Sequence, residues 1–173
     1  MKKALLVIDM LNDFLTYKAP LHVPEGRKII DKVGVEIELM REKNLPVIYV
    51  CDAHDPNDKE FKIWPEHCIK NTYGANVIDE LKPLERDIII NKTRYSGFYK
   101  TNLDGVLENL NIDTLVITGI LTHICVFYTA VDATNRDYNV EIKKKCVASN
   151  DRLLEEFAFL QMKKVHHIAL IDE

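Results

Sequence analysis

The chain has 173 residues, 47% of them hydrophobic and 29% charged, which suits one soluble domain over residues 1–173 with a single core. A net charge of −4 gives no electrostatic footing for nucleic acid or an anionic membrane. The early apolar run stops at Asp9, too short for a signal-peptide core or a membrane span, so the expected location is the cytoplasm, where Cys51, Cys68, Cys125 and Cys146 stay thiols.

Residues 4–8 form a continuous apolar run, which reads as a strand buried on both faces and ended by Asp9. Ile30, Val33, Ile37 and Met40 recur at helical spacing and predict a helix over 27–43. A second strand is expected over 46–50, followed by Asp52 and His54, and a third over 87–90, followed by Lys92. After a helix over 101–110, a fourth strand over 114–118 leads through Gly119 to Cys125, near the start of a helix over 122–136. A short strand over 140–142, a helix over 152–164 and a last strand over 167–171 complete the pattern. Strand–helix alternation with no repeat or linker predicts a three-layer α/β/α sandwich with a parallel sheet and right-handed crossovers. Such sheets bind ligands beyond the carboxyl ends of their strands, so reactive residues at strand ends are the candidates.

Asp9 is a carboxylate at a strand end, either a turn residue or a proton acceptor. Lys92 is either a surface lysine or a cation for that site. Cys125, between a strand–Gly turn and a helix, has the placement of a nucleophile; the helix dipole and a nearby lysine would lower its thiol pKa. Its other reading is a buried structural cysteine. Asp52 and His54, two apart on an extended chain, point the same way and could offer one oxygen and one nitrogen to a metal, with His67 as a second nitrogen. That donor set suits Zn2+ or another divalent first-row ion; the alternative is a polar loop. Phe14 and Trp64 are either core or a pair that stacks on a flat substrate. Cys51 reads as core, Cys146 as a buried turn residue, and Lys143-Lys144-Lys145 as a solvated strand end. His22 and His123 carry no assigned role. No Gly-rich phosphate loop follows the first strand, which argues against a dinucleotide-binding domain.

Taken together, Ile8-Asp9-Met10-Leu11-Asn12-Asp13-Phe14, Asp52-x-His54, Trp64-Pro65-Glu66-His67, Lys92-Thr93-Arg94-Tyr95-Ser96-Gly97-Phe98, Gly119-Ile120-Leu121-Thr122-His123-Ile124-Cys125-Val126 and Ala130-x-Asp132-Ala133 resemble the isochorismatase-like cysteine hydrolase family, in its nicotinamidase-like branch. The resemblance implies a six-stranded parallel sheet of order 3-2-1-4-5-6. It implies an amidohydrolase that cleaves a small carboxamide to acid and ammonia through a thioester, with Cys125 as nucleophile, Asp9 as general base and Lys92 favouring the ionised forms. Backbone amides of Leu121 and Cys125 would form the oxyanion hole, shaped by a cis peptide between Ile120 and Leu121. Asp52, His54 and His67 would hold the metal, Phe14 and Trp64 would bracket the substrate ring, and no organic cofactor is implied. Ala53, Leu121 and Thr122-His123 depart from the nicotinamidase pattern and leave the substrate open. A metal-free hydrolase of a ureido or carbamoyl compound is one alternative, and a non-catalytic small-molecule binding module is another. The family implies a homo-oligomer, a dimer or tetramer. One tension follows from the strand order: two strand spacings, about 9–10 Å, separate Asp9 from Lys92, so the loop after strand 3 would have to lean back over strand 2.

Overall fold

The computed structural model describes residues 2–172. Six parallel strands form one sheet in the order β3-β2-β1-β4-β5-β6: β1 (Lys3–Ile8), β2 (Val47–Asp52), β3 (Ile88–Lys92), β4 (Thr114–Ile120), β5 (Asn139–Ala148) and β6 (Ala169–Ile171). The expected order is the observed one. Every residue of β2 and β4 is buried, which explains why those runs show no polar alternation. β3 differs, because it is a sheet edge and Ile89 faces solvent.

Two apolar layers cover the sheet. Ala4, Leu6 and Ile8 point to one face, with Leu103 and Leu107 of α4 (Leu103–Asn109), Ala130 and Ala133 of α5 (Phe127–Thr134) and Met162 of α6 (Arg152–Lys164). Leu5 and Val7 point to the other, against α1 (Asn12–Leu15), α2 (Pro24–Arg27) and α3 (Ile30–Glu42), whose Ile30, Val33, Ile37 and Met40 are the buried stripe expected from spacing. Each buried Val, Leu, Ile or Met among them, taken from water, stabilises the fold by about 1.5–3 kcal/mol.

Several boundaries move. The helix expected over 27–43 is split, because Pro24 opens the separate turn α2 and α3 begins only at Ile30. β2 and β3 run two residues further than their apolar cores, since Asp52 and Lys92 pair in register and neutralise each other. β5 runs through Lys143-Lys144-Lys145 to Ala148, so these lysines are not a strand end and Cys146 lies in a strand, not a turn. The ladder between β4 and β5 is irregular there, passing from Ile117–Ile142 to Gly119–Val147, and Lys143 and Lys144 find Glu36 and Asp172 instead. Gly119 is required: its φ is +110°, and a Cβ there would lie 2.0 Å from the Ile8 carbonyl oxygen. β1 and β4 pair Ile8 with Gly119 at the carboxyl end of the ladder, between the two strands where the strand order reverses.

Candidate active site

The carboxyl ends of β1, β2, β3 and β4 deliver four functional groups to one point. Asp9 leaves β1 with φ +52°, a conformation that Asp tolerates, and its backbone N–H donates to Val50 at 2.9 Å. Its Oδ1 accepts from the Asp52 N–H at 2.8 Å. Lys92, the last residue of β3, is fully buried. Its Nζ lies 2.8 Å from Asp9 Oδ2 and 2.5 Å from Asp52 Oδ1, and donates to Cys125 Sγ at 3.4 Å. The two-strand gap is therefore spanned by the lysine side chain across the end of β2, not by a leaning loop. Asp9, Asp52 and Cys125 also cluster within 4.8 Å of one another, but the ammonium between them makes this an internal ion cluster, not a second metal site.

Cys125 lies in a π-helical turn, Thr122–Val126, that precedes α5; such turns are rare and concentrate at functional sites. The peptide Ile120–Leu121 just before it is cis, as the resemblance implied. Three further bonds brace this turn. Thr122 Oγ1 donates to Glu155 Oε1 at 2.7 Å, His123 Nδ1 meets Ser149 Oγ at 2.6 Å, and Gly97 N–H after Lys92 donates to Thr129 Oγ1 of α5 at 2.9 Å.

The charge states differ from one expectation. Burial pushes the Cys125 thiol well above its ordinary value, and the Lys92 ammonium only partly offsets it, so the resting group is a thiol. Burial, then the Asp52 carboxylate, raises Asp9 from 3.8 to about 6, against the pull of Lys92. Burial also acts to raise Asp52, but Lys92 and His54 prevail and hold it low. At neutral pH the site thus contains two carboxylates, one ammonium and one thiol, with a base of suitable strength beside the sulfur.

Asp52 faces two ways. Its Oδ2 lies 3.9 Å from Nε2 of both His54 and His67. The 55–68 excursion returns to pair His54 with Ile69, and this brings the two imidazole centroids to 4.8 Å. His54 Nδ1 meets Asp58 Oδ2 at 3.2 Å and His67 Nδ1 meets the Pro65 carbonyl at 2.7 Å. Both partners only accept, so in the neutral imidazole each Nδ1 carries the proton and each Nε2 keeps a lone pair. His54 Nε2 is buried without a hydrogen-bond partner, as expected of an atom reserved for a cation. Tetrahedral zinc ligands sit about 3.3 Å apart, so a small inward shift completes the set, and the Nδ1 bonds are the usual outer support of metal-binding histidines. The three residues fit a divalent ion.

A cavity of about 260 Å³ opens beside these groups, suited to a small substrate. Cys125, Asp9, Asp52 and His67 line it, as do Phe14, Trp64 and Leu121, so the expected aromatic pair reaches it. His54 is not in its wall. Sequence reasoning missed Glu60, Tyr95, His22, Asn150 and Ile124 in the wall. Tyr95 stood within a motif without a role; its hydroxyl accepts from Trp64 Nε1 at 3.1 Å. Glu60 and Asp58 gave no signal by spacing, since a short 3-10 turn, Lys59–Lys62, capped by Asp58, carries them in.

Comparison with known proteins agrees with this architecture. A family model described as the isochorismatase domain matches residues 3–172. An uncharacterised isochorismatase family protein of Bacillus subtilis is 33% identical over 94% of this chain and 90% of its own. A protein of Arabidopsis thaliana named as a probable inactive nicotinamidase is 35% identical over 94% and 88%. Among solved structures, N-carbamoylsarcosine amidase of Thermoplasma acidophilum is 39% identical with a TM-score of 0.90, covering 100% of this chain and 98% of that one. Pyrazinamidase of Pyrococcus horikoshii, solved in complex with zinc, is 33% identical with a TM-score of 0.93 over 100% of both. By matched length, identity and fold, this chain belongs to the isochorismatase-like hydrolase family.

Proposed function

We propose that the chain is a cytoplasmic cysteine amidohydrolase, one domain over residues 1–173 in a homo-oligomer, cleaving a small uncharged carboxamide of the nicotinamide type. The observation that carries this reading is the meeting of Cys125, Asp9 and Lys92 at hydrogen-bonding and ion-pair range beside a small cavity.

Asp9 takes the thiol proton as the sulfur attacks the amide carbon. A C–S bond forms, and the carbonyl electron pair moves to oxygen. Backbone N–H groups of Leu121 and Cys125 hold that oxyanion; such a donor contributes about 2.7–4 kcal/mol in other enzymes. Asp9 returns the proton to nitrogen, the C–N bond breaks and ammonia leaves. Water, activated by Asp9, then hydrolyses the thioester. Lys92 keeps Asp9 and Asp52 ionised side by side and lowers the energy of the thiolate as it forms. Phe14 and Trp64 clamp a flat acyl group and exclude water. A divalent ion held by Asp52, His54 and His67 would supply a Lewis acid that orients a substrate heteroatom.

Among the described residues no arginine and no lysine lines the cavity wall, and Lys92 beneath it is already held by two carboxylates. No lysine or arginine of the described residues is therefore placed on the wall to pair with a substrate carboxylate, which favours uncharged amides over carbamoyl acids. The similarity to N-carbamoylsarcosine amidase supports the opposite substrate choice, so both belong in one assay. Ammonia release is measured from nicotinamide, pyrazinamide and N-carbamoylsarcosine, with Cys125→Ala beside the wild type. Turnover of the neutral amides, lost in the variant, is expected. Undiminished turnover in Cys125→Ala removes the nucleophile, and a preference for the carbamoyl acid overturns the substrate assignment. A wild-type thiol inert to iodoacetamide together with no turnover favours a binding module instead.

A further inference from the structure

The run from Ile8 to Phe14 contains two polar residues that the proposed chemistry does not use, Asn12 and Asp13. Both bind the segment that follows His67. Asn12 Nδ2 donates to the carbonyls of Tyr73 at 3.0 Å and Asn76 at 3.2 Å, and the Asn12 N–H donates to Asn76 at 3.0 Å. Leu11 pairs with Val77, and the Ile78 N–H donates to the Met10 carbonyl at 3.1 Å. Residues 10–12 are thus tied to residues 73–78. Asp13 reaches further back along the chain, since its Oδ2 accepts from the Cys68 N–H at 2.7 Å.

Cys68 joins the two histidines. It follows His67 directly, and its carbonyl accepts from the His54 N–H at 2.9 Å. Its φ is +45°, a conformation that a side chain other than glycine's holds only when the surroundings fix it. The Asp13 bond fixes one side of the residue and the His54 bond the other. Gly74 makes room for the carboxylate, because a Cβ there would lie 2.1 Å from Asp13 Oδ2. Phe14, next to Asp13 in α1, has its ring 5.6 Å from the His67 imidazole. One short helix therefore carries both a wall of the cavity and the anchor of the segment behind His67.

We propose that Asp13 is the positioning residue of the Asp52–His54–His67 cation site. By holding the Cys68 peptide it fixes the spacing of the two imidazoles and keeps His67 beside Phe14. The proposal rests on the reading of that trio as a metal site. Asp13 touches neither ion nor substrate and acts through Cys68 alone. Without it the Cys68 N–H is buried and unpaired, so the peptide turns to find another acceptor and both histidines shift with it. A bound ion then has to reassemble its own ligands.

Zinc affinity of the metal-free full chain, measured by competition with a chelating dye, tests this beside urea unfolding in EDTA. Asp13→Ala should weaken zinc about 10–100-fold. Asp13→Asn keeps an oxygen acceptor for Cys68 and should stay within about threefold of the wild type. Gly74→Ala leaves every polar group in place but pushes the carboxylate off Cys68, and should weaken zinc about tenfold or more. A residue that only supports the fold would lower the urea midpoint and leave zinc affinity alone. His67→Ala is the reference and should lose zinc whatever Asp13 does. Wild-type zinc affinity in Asp13→Ala, with zinc lost in His67→Ala, overturns the proposal and leaves the metal site standing. Asp13→Asn as weak as Asp13→Ala overturns it too, because the acceptor is then not what matters. If Asp13→Ala does not fold, Gly74→Ala decides in its place, and wild-type affinity there overturns the proposal. Equal zinc binding by the wild type and His67→Ala overturns the metal site, and the proposal with it.

Discussion

Replacing Asp9 with asparagine tests whether its charge is held against the preference of the fold. The carboxyl is buried, and its pKa moves from 3.8 to about 6 because burial and then Asp52 oppose ionisation more than Lys92 favours it. At neutral pH the group is ionised, and ionising it in the folded rather than the unfolded chain costs about 3 kcal/mol. The folded pKa lies above the unfolded one, so the stability linked to this carboxyl is complete below about pH 4 and is lost as the pH rises through about 6. Asparagine keeps the shape, tolerates the φ of +52° and cannot ionise. Urea unfolding in EDTA, so that no cation at Asp52 contributes, should give wild type and variant similar stabilities near about pH 4. Near about pH 8 the variant should be the more stable by up to about 3 kcal/mol, less the penalty for the acceptor it lacks towards Lys92 or the Asp52 N–H. Amide turnover should fall by roughly 10²–10⁴ in the same variant. A stability gap independent of pH, or a variant less stable than wild type at the higher pH, refutes the reasoning.

Lys92→Met leaves Asp9 and Asp52 facing each other without the ammonium that now lies 2.8 and 2.5 Å from them. Unfolding free energy should drop by about 3–5 kcal/mol at neutral pH, and the deficit should shrink in acid as one carboxyl takes up a proton; a deficit unchanged by pH would contradict this. Asp58→Asn weakens the support of His54 Nδ1 and should loosen zinc by about 10–100-fold in competition with a chelating dye, while equal retention would mean that His54 is not a ligand. Gly119→Ala sets a Cβ against the Ile8 carbonyl and should destabilise by more than about 2 kcal/mol, read as a lower thermal midpoint; a wild-type midpoint would show that β1 and β4 part easily.

Much of the site was legible because strand ends carry chemistry in this class of sheet. The apolar runs before Asp9, Asp52, Lys92 and Gly119 marked four ends, and the family motifs supplied the roles proposed for them. The true reach of β2, β3 and β5 was not legible. Asp52, Lys92 and Lys143 look like strand-enders by propensity, and only cross-strand partners such as the Asp52–Lys92 pair keep them extended. Glu60 and Asp58 were hidden for a related reason, because a loop bond at His54–Ile69 brings that excursion back over the cavity.

The residue order alone determined the two-sided core, the parallel sheet and which polar side chains end its strands, since hydrophobic period and side-chain chemistry are local properties. Only the tertiary structure decided their charge states. A lysine read in isolation is a surface cation; buried between two carboxylates it becomes the centre of an ion cluster. The same burial that permits this keeps Cys125 a thiol and turns Asp9 into a base near neutrality, because desolvation is set by what surrounds a group and not by its neighbours in the chain.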